Sequence, residues 1–187
     1  MPLTIPNILT LFRLLAAPFI AIIFLIFDRP LADGLAFALF TIAAITDFID
    51  GYLARKLNQM TEIGRVLDPI ADKITVVIAL AVLIGLSGST IVTLAATVIL
   101  FREVLVSGLR EALGDRATAL KVTQLAKWKT TAQMVAIGLI FLAGATASAT
   151  LTWLGLAILV IAAILTGITG WDYTTKAAAI LDEKAPT

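Results

Sequence analysis

Four aspartates, Asp47, Asp50, Asp68 and Asp72, stand out as residues able to do chemistry, because each sits within or at the edge of an otherwise apolar stretch. A charge at the centre of a bilayer costs roughly 2.5–3.5 kcal/mol, so four unpaired ones would cost on the order of 10 kcal/mol. They therefore require partners or water. Asp47 and Asp50 are three residues apart and Asp68 and Asp72 four, spacings that place each pair on one helix face. Antiparallel neighbouring helices joined by a short loop would bring the two faces together around one pocket. Carboxylates that close take up protons or bind cations; an all-oxygen ligand set suits Mg²⁺ or Mn²⁺, and four carboxylates suffice to share two ions. A single pair would equally suit a solvated helix end, with Asp68 before Pro69 acting as a cap. Two facing pairs favour the metal site.

A second cluster is basic. Arg102 and Glu103 lie within an apolar stretch, Arg110 at its end, and Lys127 and Lys129 just before the next. Glu103, Ser107 and Arg110 are spaced for one helix face. Guanidinium forks match phosphate oxygens, so Arg102, Arg110, Lys127 and Lys129 are candidate ligands for the phosphate of a water-soluble substrate. Lys121, Lys176 and Lys184 read instead as snorkelling anchors or contacts to anionic lipid.

The elements that must hold these clusters follow from composition. Of 187 residues, 60% are hydrophobic and only 14% charged, the profile of a membrane protein. Apolar stretches long enough to cross a bilayer run roughly over 7–27, 31–54, 65–86, 91–109, 130–147 and 152–173. The expected fold is all-α: six transmembrane helices in one domain over 1–187, with the first residues, Leu3 to Phe12 around Pro6, lying along the interface or simply starting the first helix. Arg55, Lys56, Arg65, Arg110, Arg116, Lys121, Lys127, Lys129, Lys176 and Lys184 fall on one side and Arg29 on the other, which orients both termini and the carboxylate pairs toward the cytoplasm. No basic residue precedes the first apolar stretch, so a removable signal peptide is not expected.

The net charge of +1 gives no electrostatic case for a nucleic-acid partner. With neither cysteine nor histidine, the chain has no thiolate or imidazole zinc site, Cys nucleophile or Ser-His-Asp triad. Chemistry falls to carboxylates, Lys, Arg, Ser, Thr and backbone.

Taken together, Asp47-x2-Asp50-Gly51-x2-Ala54-Arg55-x8-Gly64-x3-Asp68-x3-Asp72 fixes eight positions over 26 residues and resembles the complete signature of the CDP-alcohol phosphotransferase family. The opening Ile5-Pro6-Asn7-Ile8-Leu9-Thr10-Leu11-Phe12-Arg13, the stretch from Arg102-Glu103 through Ser107 to Arg110-Glu111, and Lys127-x-Lys129-Thr130-Thr131-Ala132-Gln133 resemble its bacterial phosphatidylglycerophosphate-forming members. The resemblance implies that Asp47, Asp50, Asp68 and Asp72 bind two ions of Mg²⁺ or Mn²⁺, with Asp72 also the general base. It implies that Gly51, Ala54, Arg55 and Gly64 hold the CMP part of CDP-diacylglycerol, a donor site that extends to Asn7 and Thr10. It further implies sn-glycerol 3-phosphate as acceptor, membrane lipids as surroundings, a bacterial inner-membrane location and a homodimer. Two other readings stand beside it: a cardiolipin synthase of the same fold, with phosphatidylglycerol as acceptor, and a divalent-cation transporter, which leaves the Gly, Ala and Arg positions of the signature unexplained.

Overall fold

The computed structural model describes residues 4–56, 61–120 and 124–182; within these, the side chains at 48, 50–55, 65, 118 and 119 lie outside the description. The described residues form helices and turns, with no strand among them. Six α-helices follow in order: α1 Ile5–Ile26, α2 Leu31–Lys56, α3 Glu62–Ser87, α4 Thr90–Leu113, α5 Gln124–Thr146 and α6 Ala149–Asp182, with a short 3-10 turn, Gly114–Ala119, after α4.

Local chemistry sets the ends. Pro6 sits in the first turn of α1, where its missing N–H costs nothing. Thr61 and Ser89 cap α3 and α4 by accepting the N–H of Gly64 and Val92. Gly88, at φ 56°, turns the chain out of α3. Each expected apolar stretch is a helix, but α3 to α6 start earlier or run longer than the stretch that predicted them. Hydropathy marks only the part of a helix that lipid must cover. α6, with 34 residues, spans about 51 Å at 1.5 Å per residue and so outruns a hydrocarbon core of about 30 Å.

Among the described residues, five helices, α1 and α3 to α6, are long and apolar enough to cross a membrane. α2 has 26 residues, as many as α3, and several of its side chains lie outside the described residues. The stretch expected at the interface is continuous with α1 from Ile5 onward.

Around the bundle the helices neighbour one another in the order α1, α2, α5, α6, α4, α3. Phe141 of α5 is fully buried at its centre, stacked on Phe24 of α1 at 6.0 Å and edge-on to Phe40 of α2 at 6.3 Å. Ile20, Leu80, Ile99 and Leu159 complete this apolar core. Large apolar side chains such as Leu25, Val104, Trp153 and Trp171 point outward, as a lipid-facing surface requires. Because the helices alternate in direction, the start of α1, α3 and α5 and the end of α2, α4 and α6 share one end of the bundle, which holds the polar side chains described next. At the opposite end Arg29 donates to both oxygens of buried Asp33, at 2.6 and 3.1 Å.

Candidate active site

The start of α1 organises the aspartates. Asn7, Thr10 and Arg13 recur every three residues and are almost fully buried, a polar stripe on an apolar helix. Thr61 donates to Asn7 Oδ1 at 2.9 Å while accepting the Gly64 N–H at 3.0 Å. A Cβ on Gly64 would lie 2.8 Å from Asn7 Oδ1, so the glycine lets α3 begin against α1. The Thr10 hydroxyl donates to Asp68. The Arg13 guanidinium pairs with Asp47 of α2 and lies 3.8 Å from Asp68 of α3.

Arg13 thus stands between a carboxylate of α2 and one of α3. Among the described residues α1 packs on both α2 and α3 more extensively than these two pack on each other. Asp47 and Asp68 approach each other across the buried Arg13, because opposite charges at close range stabilise a packing that anionic faces alone oppose. Asp72, one turn beyond Asp68, is near enough to interact with the charges of Asp47 and Arg13, and with those of Glu103 and Lys129. α2 runs helically through Asp50, Gly51, Ala54 and Arg55, but their side chains lie outside the described residues.

Among the described residues no three acidic side chains are gathered closely enough to hold a metal ion, and Asp50, the fourth expected ligand, is not one of them. The donor chemistry nevertheless fits a hard cation. Asp47 and Asp68 are 41% and 46% exposed in their side chains, so an ion can reach them, and all four donors are carboxylate oxygens.

Beside Asp72 a cavity of about 260 Å³ opens between α3, α4 and α5. Asp72, Lys73, Arg102, Glu103, Ser107, Arg110, Lys129 and Gln133 supply its polar lining. Four cations against two carboxylates leave a formal charge of +2. Glu103 accepts from Lys129 and, at 3.1 Å, from Arg102, so one partly buried anion fixes two cations. Lys73 donates to Ser107. Arg102 lies over Gly170 of α6, where a Cβ would come within 2.7 Å of its Cγ, and its buried Nε has no hydrogen-bond partner. Arg110 sits 5.5 Å over the Tyr173 ring.

The structure thus brings Arg102, Arg110 and Lys129 to one cavity with Asp72. It does not bring Lys127, which is exposed and lines none of it. Asn7 and Gly64 meet each other, and Thr10 meets Asp68, so these expected donor contacts are engaged within the protein. Sequence reasoning missed Arg13 and Lys73. The signal for Arg13 was a cation inside the run Leu11-Phe12-Arg13-Leu14-Leu15, and for Lys73 its place beside Asp72 at the head of an apolar stretch.

The sequence profile for CDP-alcohol phosphatidyltransferase matches residues 3–167. A protein of Cereibacter sphaeroides named CDP-diacylglycerol–glycerol-3-phosphate 3-phosphatidyltransferase is 52% identical over 97% of this chain and 99% of its own. Proteins of the same name are 45% identical in Rickettsia bellii, over 90% and 92% of the two chains, and 42% identical in Salmonella choleraesuis, over 73% and 76%. The profile covers both carboxylate pairs and the whole basic cavity, and the chain belongs to the CDP-alcohol phosphatidyltransferase family.

Proposed function

We propose that this enzyme transfers the phosphatidyl group of CDP-diacylglycerol to sn-glycerol 3-phosphate, giving phosphatidylglycerophosphate and CMP. The name shared by the relatives supports the reaction. The observation that carries the acceptor is the cavity beside Asp72: about 260 Å³, below the range of about 300–1,000 Å³ for drug-sized ligands, and formally +2, it suits a small dianion.

Asp47, Asp50, Asp68 and Asp72 would hold two divalent ions, Mg²⁺ or Mn²⁺, whose contribution would be to neutralise phosphate charge and polarise the donor phosphate. Lys129 and Arg102, fixed by Glu103, hold the acceptor phosphate together with Arg110. That contact turns the acceptor hydroxyl toward Asp72 on the same wall. Asp72 takes the hydroxyl proton as the oxygen bonds to the phosphatidyl phosphorus and the P–O bond to CMP breaks. The cytidine end of the donor lies along Gly51, Ala54, Arg55 and Gly64, with Asn7 and Thr10 bracing that wall.

The chain forms one domain over 1–187 with six spans, α2 being the sixth, in the bacterial inner membrane. The exposed Ile5, Ile8 and Phe12 support an interfacial start to α1. The basic residues gathered at the site's end support a cytoplasmic active site. The family resemblance extends the reading to a homodimer. Purified protein supplied with CDP-diacylglycerol and either glycerol 3-phosphate or phosphatidylglycerol tests the acceptor. Phosphatidylglycerophosphate is expected from the first and no lipid product from the second; cardiolipin from the second would reassign the enzyme.

A further inference from the structure

We infer that Arg13 is a built-in counter-cation of the aspartate cluster, which makes the number of divalent ions held there depend on the donor's diphosphate. The inference rests on the proposed metal reading of the four aspartates and deepens it. Arg13 projects from an apolar stretch of α1, its side chain 2% exposed, and its guanidinium pairs with Asp47 and stands 3.8 Å from Asp68. A buried guanidinium must be matched by anions, and these two carboxylates belong to both halves of the cluster.

The charges make the coupling concrete. Four aspartates and one arginine sum to −3, so one divalent ion leaves −1 and two leave +1. Counted over these five side chains alone, Arg13 removes one of the negative charges that would otherwise attract a second ion. A diphosphate diester carries two negative charges, so a second ion entering with it keeps the sum at −1. The second ion and the diphosphate therefore enter as a neutral pair, because with Arg13 present a second ion alone meets only one net negative charge, half of what it would meet without the arginine. Without Arg13 the four carboxylates reach zero with two ions and no nucleotide.

The experiment counts Mn²⁺ bound per chain by equilibrium dialysis, with and without CDP, for the wild type, Arg13→Lys and Arg13→Gln. The wild type and Arg13→Lys are expected to hold about one tight ion without CDP and about two with it, and Arg13→Gln about two in either case. Thermal unfolding supplies a second readout. Arg13→Gln should unfold at lower temperature in EDTA and recover with saturating Mn²⁺, because the ions replace the lost charge; a purely structural arginine would leave a deficit that metal does not mend. Equal ion counts in the wild type and Arg13→Gln without CDP, or a deficit that persists in Mn²⁺, would overturn the inference. If Arg13→Gln cannot be purified, a wild-type ion count that does not rise with CDP overturns it as well. No bound Mn²⁺ in the wild type under any condition would remove the metal reading itself, and the inference with it.

Discussion

At the scale of single residues, Lys127 and Lys129 separate a phosphate ligand from a surface charge. Two residues along a helix turn the side chain through about 200°, so the two lysines face opposite ways. Lys129 is buried against Glu103 in the cavity wall, while Lys127 is exposed. Losing a charge-assisted phosphate contact costs roughly 1.5–3 kcal/mol, or about 10- to 150-fold. Lys129→Gln is therefore expected to lower kcat/KM for glycerol 3-phosphate by about that factor with little change in CDP-diacylglycerol affinity, and Lys127→Gln to change neither. Acceptor kinetics beside donor binding check both. Asp72→Asn should still bind the donor but lose about 10²- to 10⁴-fold in single-turnover rate, the usual share of a general base. Lost donor binding with an unchanged chemical step would take that role from Asp72. The aspartates were legible in the sequence because a carboxylate in an apolar run is tolerated only with a cation or water beside it. Lys127 and Lys129 were not distinguishable there, since both precede the apolar stretch and only the packing of α5 against α3 and α4 sets which one faces inward.

At the scale of elements, α6 lends the site a missing side chain. Gly170 leaves the space that the Arg102 stem occupies. An alanine there would push Arg102 off its rotamer at a cost of roughly 0.5–1.5 kcal/mol, about 2- to 13-fold in binding. Gly170→Ala should raise the acceptor KM by about that factor while leaving the donor KM near its original value. Gly85, in α3, has nothing within 4 Å of its would-be Cβ. Gly85→Ala should therefore change no kinetic constant and stabilise the helix by up to about 1 kcal/mol, read as a higher Tm. A rise in the acceptor KM of both variants would mean that helix stiffness rather than the Arg102 pose controls binding. The helices themselves were legible, because lipid demands unbroken apolar runs. Their arrangement was not: that α1 packs against both α2 and α3 depends on the stripe Asn7, Thr10 and Arg13 finding Thr61, Asp68 and Asp47, a complementarity between segments distant in sequence.

At the scale of the whole molecule, the apolar core and the charged site occupy different depths of one bundle. The core around Phe141, with Phe24, Phe40, Leu80 and Leu159, owes nothing to the aspartates. Chelation with EDTA is therefore expected to stop turnover while far-UV circular dichroism keeps its helical amplitude; loss of helix on chelation would show that the ions hold the fold. The central claim is that the aspartates and the basic cavity are two halves of a single transfer site. The most direct test is CMP release from CDP-diacylglycerol by the purified protein in nanodiscs, followed with glycerol 3-phosphate and Mg²⁺ added separately and together. CMP should appear only when both are present, one molecule for each phosphatidylglycerophosphate formed, whereas equal release without the acceptor or without a divalent ion would contradict the account.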